Sequence, residues 1–348
     1  MRKLSIKPDK RKEKVMVDVN EYNLDKCVHC VGYSSEEEWH ELRKKGIGGS
    51  DAGAVMGLNK YTSPLKLFKI KTGAYVEDDS DNVYLKKGKD LESLIFEKYV
   101  SKDSDLEKFK IIHPEHVFIN NQYPWLRANC DGIAVPNGPM VATDPRLNVI
   151  IEIKWVSEWA EVNWDGDDYC GVPASYYAQV QHYMTVTGAQ ITYLYAMFDK
   201  DWRVKRYEIP YNLSFALKML AQTKEFYNNM TLGIAPKIKA TMDKDFIPEK
   251  LETMPTATTV SEELDKHIAE YLTLKEEIKA LEMQADQHYD AAVERYLNGE
   301  RPTKIFKMDI AQCKKSGFDS RKFAAEHPDV YDRYKTVTEY TRTTIKKR

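Results

Sequence analysis

Asp131, Glu152 and Lys154 are the residues of this sequence whose types and spacing can do chemistry. Glu152 and Lys154 stand two apart in the run Asn148–Trp155, where β-branched residues dominate. A strand with period two puts them on one face with Ile150, and Val149, Ile151 and Ile153 on the other. The carboxylate and the ammonium are then roughly 7 Å apart, at about 3.3 Å rise per residue. Among aliphatic neighbours each is costly unless it has a partner. Two readings are open at this point: a strand end carrying a structural ion pair, or a metal ligand beside a catalytic lysine.

Asp131 bears on that choice. Leu126–Val135 reads as a strand, a tight Asp131-Gly132 turn and a second strand, with a hairpin leading on to the Glu-x-Lys strand. An isolated Asp-Gly is ordinarily only a turn. Two carboxylates plus the Ile153 carbonyl would make a hard oxygen site suited to Mg²⁺ or Mn²⁺, with positions left for water and phosphate. A lysine beside it can orient water or stabilise charge developing on phosphate.

Several elements must hold these residues. Ser35 to Glu38 is a capping box opening a short helix with Trp39, Leu42 and Arg43. The glycine turn Gly46–Asp51 follows, with Ser50 or Asp51 able to cap the next helix; a helix start beside glycines is a ready anion site. Ser63 and Pro64 open another helix, stopped by Gly73. Residues 83–100 carry Leu91, Leu94, Ile95 and Tyr99 at helical spacing, with Glu92 at the edge of that face. Residues 173–183 read as a helix with Gln179, His182 and Tyr183 on one side; His182 reads as a packed histidine rather than a ligand. Residues 191–198 and 203–209 form a hairpin, and an amphipathic helix over 214–230 closes the unit. Beyond a Pro/Thr-rich stretch, Ser261 starts a helix to about Asn298 with Leu264, Tyr271 and Ile278 every seven residues. Two strands, 303–310 and 337–346, flank a short helix near Ser320–Glu326.

The 348 residues, 42% hydrophobic and 30% charged, suit a soluble globular protein, and no run approaches the ~20 apolar residues of a membrane span. With no apolar signal core at the N-terminus, the expected location is cytoplasmic, in a bacterial or phage-infected cell. A net charge of −2 excludes bulk electrostatic coating of DNA and requires a local basic patch for any such contact. The five cysteines make no disulfide framework. Cys27 and Cys30 have zinc spacing but no second Cys/His pair at finger distance.

Together these blocks resemble the YqaJ-type viral recombinases, relatives of the lambda exonuclease within the PD-(D/E)XK nucleases. The likeness covers about Trp39 to Gly233. It is carried by Trp39–Arg43, Ile47–Asp51, Gly57–Tyr61, Gly88–Glu92, Asn129–Gly132, Glu152–Lys154 and Tyr177–Gln181, in the family's order. Cys130 departs from it, standing where the family has Pro. The resemblance implies metal ligation by Asp131 and Glu152 with Glu92 in or just outside the shell. It implies Lys154 activating water, and Gln179 supporting Lys154 and the DNA. It also implies Arg43 and Ser50 on the 5′ phosphate, with Asn129 beside the DNA. A Cas4-like reading would need a cysteine quartet for an iron–sulfur cluster, and the five cysteines here lack its clustered C-terminal set.

The expected fold is an α/β PD-(D/E)XK restriction-endonuclease-like core, a central mixed sheet flanked by helices, with a C-terminal long helix and β-hairpin extension. The expected division is an arm over 1–33, the nuclease domain over 34–234, a linker over 235–260 and the extension over 261–348. The expected activity is Mg²⁺-dependent 5′→3′ digestion of linear double-stranded DNA, with Mn²⁺ able to substitute, leaving 3′ single strands for recombination. The expected partners are duplex ends, a single-strand annealing protein and copies of itself in a ring such as a trimer, and no membrane. An endonuclease or resolvase on the same fold, and a non-catalytic DNA-end-binding scaffold, are the alternatives.

Overall fold

The computed structural model describes residues 27–77, 82–114, 116–137, 145–246, 261–302, 308 and 320–334. The chain divides into two compact units, residues 1–243 and 244–348.

In the first unit, β1 (Val28–Gly32) leads to α1 (Glu36–Lys44), capped by the Ser35 hydroxyl, which accepts from the Glu38 amide. The two-residue β2 (Ile47–Gly48) runs into α2 (Gly49–Val55), and α3 (Pro64–Lys71) starts at the Ser63 cap. Next come α4 (Val83–Lys98), β3 (Phe109–Ile112), β4 (His116–Asn120), β5 (Leu126–Arg127), β6 (Gly132–Pro136) and β7 (Val149–Val156). The unit finishes with α5 (Ala174–Thr187), β8 (Ile191–Phe198), β9 (Val204–Pro210) and α6 (Leu213–Thr231).

The sheet has the order β3-β6-β7-β8-β9, with β7 and β8 parallel and the other pairs antiparallel. This is the mixed α/β arrangement that the sequence predicts. The two faces of β7 separate as its alternation requires. Val149, Ile151 and Ile153 pack with Ile95 and Leu91 of α4. On the opposite face, Ile150 packs with Tyr183 and Met184 of α5. The parallel step from β7 to β8 needs a crossover, and α5 supplies it. The central strand therefore has a helix against each face, and its polar end lies between them.

Three expectations are corrected. Residues 28–32 are no free arm, because β1 pairs antiparallel with β4 through Val28 to Gly32. Asp131-Gly132 is not the turn of a two-strand hairpin, because β5 pairs in parallel with β2 while β6 joins β3 and β7. Nor is the stretch after 235 a linker throughout. Asp243 is fully buried, accepts the Lys239 amide at 2.7 Å and takes the Ser63 hydroxyl at the start of α3.

In the second unit, α7 (Glu262–Leu297) starts at its Ser261 cap, and Gly299 follows its end with φ +99°. Leu264, Tyr271, Leu274, Ile278 and Leu281 all lie exposed along it. Two short helices, α8 (Ser320–Glu326) and α9 (Pro328–Tyr334), follow. Of the strands expected at 303–310 and 337–346, all but residue 308 lies outside the described residues. Among the described residues no helix is long and apolar enough to cross a membrane.

Candidate active site

Glu152 is 1% exposed in the middle of β7, and Lys154 beyond it reaches back to its carboxylate oxygen Oε1. Gln179 of α5 donates its Nε2 to that oxygen at 2.7 Å and to the Tyr183 hydroxyl at 2.9 Å. The other carboxylate oxygen, Oε2, is buried without a hydrogen-bond partner. The Lys154 ammonium also sits 5.2 Å from the centre of the Tyr176 ring. Asp131, just before β6, accepts the Ile153 amide at 2.7 Å, which draws its carboxylate to the same strand. His113 donates from Nδ1 to the Asp131 carbonyl.

The electrostatics follow from this packing. Burial and the neighbouring Asp131 push the Glu152 carboxyl up to about 8, against the pull of Lys154. Asp131 is likewise raised by burial. Glu92 of α4 is raised by burial and by Asp131, and it also feels His113 and Lys154, so it faces the same cluster. Burial works against the Lys154 charge, but Glu152 and Asp131 outweigh it and hold the ammonium protonated. Burial and like-charge crowding thus push all three carboxyls towards their neutral forms, a cost that a bound cation would relieve.

That donor set, with a buried and unbonded carboxylate oxygen, fits a hard divalent ion such as Mg²⁺. Among the described residues no group of three His, Cys, Asp or Glu side chains forms a metal cage by itself. A bound ion would therefore be completed by water and substrate oxygens, as Mg²⁺ commonly is.

The second group of residues gathers around the glycine turn. Arg43 donates Nη2 to the Ser50 hydroxyl at 2.7 Å, and its guanidinium lies 4.6 Å from the centre of the Trp39 ring. Trp39 donates Nε1 to Asn129 at 2.8 Å, and Asn129 donates to the His116 carbonyl at 3.1 Å, so its amide is already engaged. The cap of α2 is Gly48, not Ser50 or Asp51. Asp51 accepts the Gly48 amide at 2.7 Å, so that amide is not open to an anion, and anion-holding capacity rests on the Arg43 and Ser50 side chains.

Asp51 also pairs with Lys71 of α3 at 2.5 Å, and Lys71 donates to the Arg43 carbonyl at 2.8 Å. Burial opposes the Asp51 charge, yet Lys71 and Arg43 hold its carboxyl below the usual range. Burial lowers Lys71 despite Asp51, with Arg43 and Arg127 adding repulsion.

The two groups meet through Tyr183. A Cβ on Gly49 would lie 2.3 Å from its ring, so only glycine lets the turn close on α5. From the turn to Glu152 the path is Gly49, the Tyr183 ring, its hydroxyl, then Gln179.

The structure thus gathers Asp131, Glu152, Lys154, Glu92 and Gln179 around β7, and Arg43 with Ser50 at the turn, with Asn129 joined to them through Trp39. Gln179 bonds Glu152 rather than Lys154. Sequence reasoning missed His113, Tyr176, Trp39 as the link to Asn129, and Lys71. Only Tyr183 had a signal, its spacing four residues from Gln179 on one helix. Cys27, Cys30, Cys130 and Cys170 are in no disulfide, and burial pushes the Cys30 thiol up to about 12.

Residues 38–190 match the YqaJ-like viral recombinase domain. Over 327 residues the chain is 28% identical to "Uncharacterized protein YqaJ" of Bacillus subtilis strain 168, covering 90% of this chain and 94% of that protein. Among solved structures it is similar to the alkaline exonuclease LHK-Exo of Laribacter hongkongensis, at 20% identity and TM-score 0.42, covering 57% of this chain and 94% of that one. It is also similar to a phage-related exonuclease of Haemophilus somnus 129PT, at 12% identity and TM-score 0.39, covering 57% and 100% respectively.

Proposed function

We propose that this chain is a Mg²⁺-dependent 5′→3′ exonuclease on linear double-stranded DNA that leaves 3′ single-stranded tails for recombination by strand annealing. The observation that carries this reading is the buried Asp131–Glu152 pair with Lys154 on the same oxygen, joined through Gln179 and Tyr183 to the Arg43–Ser50 turn. The match to the YqaJ-like viral recombinase domain supports a nuclease role in recombination.

In this reading Asp131 and Glu152 would hold the metal, with Glu92 in or just outside its ligand set. A bound ion would supply Lewis-acid polarisation of the phosphate and a more acidic water. Lys154 keeps its proton and places positive charge where the phosphate becomes more negative. Gln179 fixes the Glu152 carboxylate through Oε1 and leaves Oε2 unbonded. Arg43 and Ser50 hold the terminal 5′ phosphate, for which a guanidinium fork is well shaped. Asn129 holds Trp39 beneath Arg43, at the edge of the DNA path. Positive charge lining one channel of a homo-oligomeric ring such as a trimer would let a chain of net charge −2 grip DNA, and a single-strand annealing protein would take up the tail.

The test compares linear and circular duplexes, with 5′-phosphate or 5′-hydroxyl ends, with and without Mg²⁺. The expected result is loss of linear DNA only, faster from phosphorylated ends and only with the metal. Cleavage of closed circles would show an endonuclease instead, and intact linear DNA under all conditions would show a scaffold.

A further inference from the structure

The Asp51–Lys71 pair is expensive to bury. The side chains are 10% and 5% exposed, yet neither lies among the carboxylates of the metal site. Opposite charges removed from water are weak contributors to stability, because desolvation offsets their attraction. Their contacts show where they act. Lys71 bonds the carbonyl of Arg43 in the last turn of α1, and Asp51 bonds the amide of Gly48 at the cap of α2. The ion pair therefore ties together the backbone at Arg43 and at Gly48, on either side of Gly46 and Ile47, and α3 delivers the tie from outside. Arg43 leaves the α1 end of this clasp and Ser50 the α2 end, and they meet at 2.7 Å.

We propose that Asp51 and Lys71 are positioning residues for reading the DNA end, a buried strut that sets the Arg43 guanidinium over Ser50 by bridging α1 to α2. This rests on the reading of Arg43 and Ser50 as the holders of the 5′ phosphate. The backbone of Arg43 is fixed at its carbonyl, so the guanidinium starts from one place and its fork arrives aligned. Without the tie, the last turn of α1 is free to shift against α2. A bidentate contact tolerates little of that shift, whereas a loose charge attraction tolerates much.

The test uses the full chain with Mg²⁺ on linear duplexes, and reads the ratio of digestion from 5′-phosphate over 5′-hydroxyl ends. Loss of active protein cancels in that ratio, so a merely structural role does not move it. Lys71→Met leaves a buried carboxylate alone and threatens the fold. It is therefore paired with Asp51→Asn/Lys71→Met, which keeps both shapes and the acceptor for Gly48 without the charges. Both variants should lower the ratio roughly tenfold through a higher KM for phosphorylated ends, with kcat changed less. Adding Arg43→Ala to the double variant should lower the ratio no further than Arg43→Ala alone, because strut and arginine serve one contact.

If the wild-type protein shows no preference for phosphorylated ends, the end-reading role of Arg43 fails and the strut falls with it. If the preference is present and lost in Arg43→Ala but intact in Asp51→Asn/Lys71→Met, the strut alone is overturned. Additive losses, or a double variant that fails to fold by thermal melting, also overturn it in favour of a purely structural pair.

Discussion

Gly49→Ala is the sharpest probe of how the glycine turn meets the carboxylate site. The added Cβ would lie 2.3 Å from Cε1, 2.7 Å from Cζ and 3.1 Å from Cδ1 of Tyr183. Carbon atoms rest at about 3.5–4.0 Å, so the ring must retreat by roughly 1 Å. Tyr183 is 4% exposed and packed with Met184 and Ile150, so there is little room behind it. Overpacking of this kind costs about 1–3 kcal/mol. At roughly 2–4 °C per kcal/mol for a domain of this size, the melting temperature should fall by about 2–12 °C. Gly49 opens α2, where alanine is the better helix former by about 1 kcal/mol, so helix propensity predicts the opposite sign. The retreating ring also carries its hydroxyl away from Gln179, which holds Glu152 at 2.7 Å. The rate should fall at least tenfold, since about 1 Å of misplacement near reacting groups can cost a hundredfold. Thermal melting and a nuclease assay on the same preparation read both effects. Trimming the ring with Tyr183→Leu in the Gly49→Ala background should recover part of the melting temperature. Wild-type stability and rate in Gly49→Ala would refute the argument.

Four further outcomes are expected. Glu152→Gln should lose nuclease activity, and Mg²⁺ should raise the melting temperature of the wild type but not of this variant; wild-type cleavage in Mg²⁺ would remove Glu152 from the metal site. Lys154→Ala should lower the single-turnover rate by roughly 10²–10⁴ if its charge acts on the phosphate, and a loss under threefold would assign it to packing against Tyr176. Arg43→Ala should erase most of the preference for 5′-phosphorylated ends, a contact worth about 1.5–3 kcal/mol, and Arg43→Lys should restore only part because the fork is lost; equal slowing on both end types would make Arg43 a general contact. Burial holds His182 down at about 4 against an ordinary 6.5, so the native state refuses a proton that the unfolded chain accepts. Stability should therefore be full above pH 6.5 and fall by at most about 1.4 kcal/mol per pH unit as the pH drops towards 4. His182→Gln should flatten that slope in melting curves, and an unchanged slope would assign it to other groups.

Much of this was legible in the sequence because it depends on local periodicity. The alternation in β7 set the faces of Ile150, Glu152 and Ile153, and helical spacing set Ile95 towards the sheet and Glu92 at its edge. The caps Ser35, Ser63 and Ser261 marked helix starts that the structure retains. What was not legible depends on pairing between distant segments. Nothing in Leu126-Arg127 says that its partner is Ile47-Gly48, so an Asp-Gly pair suggested a hairpin that does not form. Val28–Gly32 has no pattern that names β4, and Lys71 looks like any lysine at a helix end until α3 is laid against the glycine turn. His113 follows an apolar run with no motif around it, and only the β3–β6 register brings it to Asp131.

The Asp243 clasp bears on the order in which the protein is made. Ser63, the cap of α3, donates to a carboxylate 180 positions further along the chain. A ribosome delivers the N-terminal portion first, and domains fold as their segments emerge. The cap of α3, the helix that carries Lys71, therefore lacks its buried partner until nearly all of the first unit has left the exit tunnel. A nascent chain stalled earlier would have β7 in place while α3, and with it Lys71, lacked that anchorage.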